Sequence, residues 1–126
     1  MSIKILLVDD DSNMFHLVEE SFRENGFELI YAEDGEAGFK AMQDQPDIKV
    51  IITDHNMPKL TGIQMLEKIR GELPCAEGVH FVMQTSASES AVREKGTKLG
   101  VKAWIVKSGM NSIDIQIKAI KKLLAL

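Results

Sequence analysis

Cysteine is almost absent from this chain of 126 residues, which has one, Cys75. A lone cysteine cannot close an internal disulfide, so the chain is no disulfide-stapled scaffold. Long apolar runs are absent too. Stretches such as Ile5–Val8 and Val50–Ile52 fall far short of the roughly 20 residues that span a bilayer. No basic segment followed by a long apolar stretch and a small-residue cleavage site opens the chain, so no secretory signal is expected. Together these absences point to a cytoplasmic protein with no membrane insertion. An excess of basic charge is missing as well: 15 Lys and Arg stand against 19 Asp and Glu, a formal net charge of −4. Nucleic-acid binding by the chain itself is therefore not expected, because neutralising phosphates needs a basic face. Lys118, Lys121 and Lys122 read as a solvated helix face. No internal repeat or low-complexity tract is visible.

What is present suits one well-buried core. Hydrophobic residues make up 44%, and the length fits a single domain over residues 1–126. Short apolar runs alternate with helical patterns. Ile3–Val8 reads as a strand ending abruptly in Asp9-Asp10-Asp11. Met14, Val18 and Phe22 then recur at helical spacing, with Asp11 or Ser12 as N-cap and Gly26 as terminator. Glu28–Ala32 is the second strand. Asp34 caps a helix from Gly35 to about Asp44, which Pro46 stops; Gly38 inside it costs about 1 kcal/mol relative to alanine. Val50–Thr53, which does not alternate, is a third strand buried on both faces. Thr61-Gly62-Ile63-Gln64 matches a capping box before a helix through Ile63, Leu66 and Ile69. Val79–Gln84 is the fourth strand. Ser86-Ala87-Ser88-Glu89 is a second capping-box match, opening a helix to about Gly100 supported mainly by Glu89/Arg93 and Glu94/Lys98 pairs. Ala103–Val106 is the fifth strand. Ile113, Ile117, Ile120 and Leu124 mark the last helix. The order is (βα)5, an α/β doubly wound parallel sheet with helices on both faces.

In such sheets chemistry sits beyond the carboxyl ends of the strands. Those ends carry Asp9 and Asp10, then Asp54, then Thr85 and Ser86, then Lys107. Taken singly, each has an ordinary explanation. The acidic run can cap a helix, Asp54 can cap a turn before Pro58, and Lys107 can be a surface lysine. Their convergence on one edge favours a shared site. Two unit charges about 4 Å apart repel by roughly 4 kcal/mol at an effective dielectric of ~20, so three carboxylates call for a counterion. All-oxygen ligands suit Mg2+, which keeps several waters and bridges to phosphates. A carboxylate is also a competent nucleophile toward phosphorus, and a cation with Lys107 would stabilise the transferring group.

At these residues the chain resembles response-regulator receiver domains of the CheY-like superfamily, across essentially its whole length. The motifs are Leu6-Leu7-Val8-Asp9-Asp10, Asp54-His55-Asn56-Met57-Pro58 followed by Gly62, Thr85-Ser86-Ala87 and Val106-Lys107. The resemblance implies a flavodoxin-like fold with strand order 2-1-3-4-5. It implies that Asp54 is the phosphoacceptor, that Asp10 binds Mg2+ directly and Asp9 partly through water, and that the Asn56 backbone carbonyl is a further ligand. It makes Thr85 the hydroxyl that turns to the phosphoryl group, Lys107 its ammonium partner and Trp104 the switching aromatic. By strand parity Trp104 points away from Lys107, toward the fourth and fifth helices.

The family pattern has proline after the lysine where this chain has Ser108. A cis bond to a residue other than proline costs about 2.5–4 kcal/mol, so a trans Lys107–Ser108 bond and a reshaped 108–111 loop are expected. Ala87, small where relatives carry larger polar groups, leaves the phosphoryl lifetime open. Thr61 replaces a common acidic residue and keeps the cap.

The function so implied is a phosphorelay switch and not an enzyme beyond its own phosphorylation and dephosphorylation. The donor would be a histidine kinase or phosphotransfer protein. The readout would be a downstream protein target docking on the face of the fourth helix, fifth strand and fifth helix, where Ile115 lies off the apolar stripe. With the last helix ending the chain, either a stand-alone regulator or a receiver without its output domain is expected. Three other readings compete. A receiver acting as a phosphorylation-independent binding module keeps the fold. An aspartyl phosphatase needs a second aspartate where Asn56 stands. A flavodoxin-like phosphate loop would be repelled by Asp9-Asp10-Asp11.

Overall fold

The run Ile3–Val8 forms β1 and pairs in parallel on both sides, with β2 (Phe27–Ala32) and with β3 (Val50–Asp54). Strand β4 (His80–Thr85) pairs with β3, and β5 (Val101–Val106) with β4, giving the order β2-β1-β3-β4-β5. This computed structural model describes residues 3–55, 59–73, 78–85, 90–106 and 112–124. The helices between strands are α1 (Ser12–Glu24), α2 (Gly35–Asp44), α3 (Gly62–Glu72) and α4 (Ser90–Lys98), with α5 (Ser112–Leu123) last. The expected doubly wound α/β architecture and strand order are both present.

Helix starts follow the side chains that satisfy their first amides. Asp11 accepts from Asn13 N–H ahead of α1, and Asp34 accepts from Ala37 N–H at 2.8 Å ahead of α2. Both halves of the capping box form at α3: Gln64 N–H donates to Thr61 Oγ1, and Thr61 N–H donates to Gln64 Oε1. Gly26, after α1, has φ +85°, the left-handed conformation that glycine adopts without a Cβ clash. The second capping-box match falls on residues 86–89, outside the described residues; Glu94–Lys98 pairs at 3.6 Å.

The sheet divides the core. Ile5, Leu7, Val50, Ile52, Val82 and Ile105 face α1 and α5, against Val18, Phe22, Ile117 and Ile120. Leu6, Val8, Ile51, Phe81 and Met83 face the other layer, against Phe39 and Met42 of α2 and Ile63, Leu66 and Ile69 of α3. Neighbouring strand residues go to opposite layers, as the period of two requires. The central strands are apolar on both faces for this reason.

Strand ends run one residue beyond the sequence expectation at β3, β4 and the start of β2. Gly38, expected to weaken α2, sits where a Cβ would lie 2.6 Å from Met65 Sδ and 3.1 Å from Val8 Cγ2. The missing side chain lets α2 approach β1 and α3.

Candidate functional site

Where β1 and β3 lie side by side, the connections leave toward opposite faces, and a crevice opens at the carboxyl ends. Strand β1 ends at Val8, so Asp9 and Asp10 enter the crevice, while Asp54 is the last residue of β3. Alternation places Asp9 and Asp54 on the same sheet face as Leu7 and Ile52, the α1–α5 side. One carboxylate oxygen from each of Asp9, Asp10 and Asp54 lies within 4.8 Å of the others. Asp9 is 1% exposed and Asp54 8%, whereas Asp10 is exposed. The trio read from the strand ends is thus brought together, two of its members inside and one at the mouth.

This donor set fits a hard divalent cation. It is all carboxylate, it concentrates negative charge where solvent screening is weak, and its spread suits an ion that keeps part of its water shell. Several backbone bonds hold the donors in place. Asp11 N–H donates to Asp9 Oδ1 at 2.9 Å, and Asp9 N–H donates to Ala32 O at 3.1 Å. His55 N–H donates to Gln84 O at 3.2 Å, and Gly62 N–H to His55 O at 3.0 Å. A Cβ on Gly62 would stand 2.8 Å from Asp54 O and 3.2 Å from His55 Cα. The motif glycine is therefore where α3 starts directly against the backbone of the acidic strand end. Downstream, Lys59 takes a left-handed φ of 69° and reaches back to Asp34 at 3.5 Å and Glu36 at 3.9 Å, tying the connection after β3 to the start of α2.

The other expected site residues divide. Thr85 ends β4, in register with Val106. Trp104 packs with the α2–α3 layer, not with the layer that holds the buried residues of α5. It meets α4, where a Cβ on Gly96 would lie 2.6 Å from two atoms of its ring, and the Arg93 guanidinium stands 5.7 Å from the ring centre. Of the expected direction toward α4 and α5, the α4 half holds and the α5 half does not, because strand alternation sends Ile105, not Trp104, to the buried Ile117 and Ile120 of α5. Asn56, Ser86, Ala87, Lys107 and the Lys107–Ser108 bond lie outside the described residues.

Two neighbours of the trio escaped the sequence reading. Tyr31 Oη donates to the Asp9 backbone carbonyl at 2.6 Å. Burial, then the negative charges of Asp9, Glu33, Asp10 and Asp11, hold this phenol above its ordinary pKa. Gln84 is the register partner of Asp54 and is 1% exposed. Both were findable: each is a polar group at the carboxyl end of a strand, on the edge where the acidic residues were sought.

The five-stranded doubly wound sheet with acidic groups at its switch point agrees with the family comparison: the chain belongs to the response regulator receiver domain family, whose model matches residues 5–118. It is accordingly a CheY-like receiver of two-component signalling. Chemotaxis protein CheY1 of Helicobacter pylori is 32% identical over 106 residues, covering 83% of this chain and 85% of that protein. Among solved structures, the response regulator TrrA of Thermotoga maritima, in complex with Mg2+ and BeF, superimposes with TM-score 0.78 at 27% identity, covering 96% and 98% of the two chains. Chemotaxis protein CheY4 of Vibrio cholerae superimposes at TM-score 0.86 with 24% identity, over 97% and 98%, a likeness of fold. Among the described residues no helix is long and apolar enough to cross a membrane.

Proposed function

We propose that residues 1–126 work as one phosphoacceptor unit. Asp54 takes a phosphoryl group from a histidine kinase or phosphotransfer protein, with Mg2+ held by Asp9, Asp10, Asp54 and the Asn56 carbonyl. The supporting observation is the gathering of Asp9, Asp10 and Asp54 oxygens within 4.8 Å at the sheet's switch point. Bound Mg2+ would supply charge neutralisation for the trio and for the incoming phosphoryl oxygens. An Asp54 oxygen attacks phosphorus while the P–N bond to the donor imidazole breaks; the donor ring, already protonated on its other nitrogen, leaves as neutral imidazole. The product is a mixed anhydride. Water attack on phosphorus later returns the Asp54 carboxylate and inorganic phosphate. Lys107 and Thr85, by their family resemblance, pair with the phosphoryl oxygens. The backbone bonds around Asp9 and His55 keep the strand ends that carry the carboxylates in place, and the burial of Asp54 would limit access of water to the phosphorylated residue.

The added charge, about −1.5 to −2 at neutral pH, would bias α4, β5 and Trp104 and so alter binding of a protein target. Ile115, 45% exposed on α5, is an apolar contact for such a target. The chain acts as a regulator and not on an external substrate, and it is expected to work in the cytoplasm.

Incubation with radiolabelled acetyl phosphate and Mg2+ tests this reading. Wild-type protein should take up alkali-labile label, EDTA should abolish it, and Asp54→Ala should remain unlabelled. Equal labelling of Asp54→Ala would move the acceptor elsewhere. A folded wild-type chain that binds its target but takes no label would be the phosphorylation-independent module.

A further inference from the structure

Strand β2 contributes no carboxylate to the trio, yet it grips Asp9 at both ends of its backbone. The Asp9 N–H donates to Ala32 O at 3.1 Å. Its carbonyl, one residue beyond the last β1–β2 register pair of Val8 and Ala32, receives the Tyr31 hydroxyl at 2.6 Å. That distance is at the short end for an O–H···O bond. The Tyr31 ring is itself lodged against Phe15 of α1, with centroids 5.5 Å apart and planes tilted by 51°. The hydroxyl is thus carried by a side chain braced between α1 and β2.

The carbonyl of Asp9 belongs to the peptide that leads into Asp10. Fixing that oxygen fixes the plane of the Asp9–Asp10 peptide, and with it the direction from which the Asp10 side chain departs. Asp10 needs this help more than its partners do. Asp9 is buried with one carboxylate oxygen already receiving the Asp11 N–H, and Asp54 is built into a strand. Asp10 is exposed and follows the end of β1.

We propose that Tyr31 is a positioning residue for the metal site, its hydroxyl setting the Asp9–Asp10 peptide so that the exposed carboxylate is presented beside the two buried ones. This rests on the metal-binding reading above. Tyrosine is required for its hydroxyl here, not only for its ring, and phenylalanine is the discriminating replacement.

The test is a calorimetric titration of Mg2+ into wild type, Tyr31→Phe and Asn25→Ala, with urea unfolding of each in EDTA. Asn25→Ala removes a 2.7 Å bond from Nδ2 to Ser21 O at the far end of α1 and controls for general loosening. Tyr31→Phe should weaken Mg2+ binding on the order of tenfold, the low end of what outer partners of metal ligands contribute. Asn25→Ala should bind as wild type does. Acetyl phosphate labelling of Tyr31→Phe should need more Mg2+ for half-maximal rate and reach the wild-type maximum. Equal Mg2+ affinity in wild type and Tyr31→Phe would overturn the inference alone, as would an equal loss in Asn25→Ala. A wild type that binds no Mg2+ would overturn the metal reading, and this inference with it.

Discussion

Asp10 differs from Asp9 and Asp54 in one respect with thermodynamic consequences: it faces water while they do not. Three carboxylates this close repel most where solvent is excluded, so an ion that joins them should stabilise the fold as well as serve chemistry. Mg2+ at about a hundred times its Kd should raise the unfolding free energy by ~2.7 kcal/mol, by simple linkage. Urea melts with Mg2+ and with EDTA measure this, and in Asp10→Asn the difference should shrink; an unchanged difference would remove Asp10 from the site. Gly62 carries a second prediction at this scale. A methyl group there would press on Asp54 O and Met83 Sδ, both 2.8 Å from the Cβ position. Gly62→Ala should destabilise by about 1–3 kcal/mol, the range for overpacking, measured by the same melts. A neutral result would mean that α3 can slide away from the acidic strand end.

Helix α4 has little apolar surface of its own, and the sequence shows only its exposed ion pairs. Lys95 ties it to Glu67 of α3 at 3.2 Å, and Gly96 faces the Trp104 ring, with Ile63 Cδ1 3.2 Å from where its Cβ would stand. Gly96→Ala sets two effects against each other. Helix propensity improves by about 1 kcal/mol, while a rigid ring must move, at about 1–3 kcal/mol. Loss should prevail, because a tryptophan ring cannot bend aside as a methionine end can. Lower stability and a shifted Trp104 emission are the expected outcomes; a gain in stability would mean that the helix is free to lift. Such contacts explain what could be read early and what could not. Caps at Asp11, Asp34 and Thr61 were legible because each is local, a side chain meeting an amide two or three residues on. The uses of Gly38, Gly62 and Gly96 were not, because a glycine looks the same in sequence whether it weakens a helix or admits a neighbour. Tyr31 stands between the two cases: its place at the carboxyl end of β2 was legible, but its partner, 22 residues away across the first crossover, was not.

For the molecule as a whole, the acidic trio was readable because the fold does its gathering at strand ends, and strand ends are marked by an apolar run stopping at a charge. The layers on either side of the sheet are less uniform than that pattern suggests. Gln116 is fully buried on α5, and among the described residues neither its Nε2 nor its Oε1 has a hydrogen-bond partner; Gln84 Nε2, by alternation on the same sheet face, has none either. Unmade bonds of this kind cost about 1–3 kcal/mol, so Gln116→Met should stabilise the protein by about that amount in urea melts. No gain would mean that the amide finds a partner when α5 shifts. The strand order has one more consequence, and it concerns time. No two neighbouring strands are joined by a hairpin, so every pair waits for a crossover to be made, and folding of such non-local sheets is slow. A chain emerging from its N-terminus completes β1 with β2 by Ala32, but the other side of β1 stays open until β3 arrives at Val50. The crevice and the middle of the sheet therefore close in a single event, and β5 and α5 are added only after Asp54 is in place.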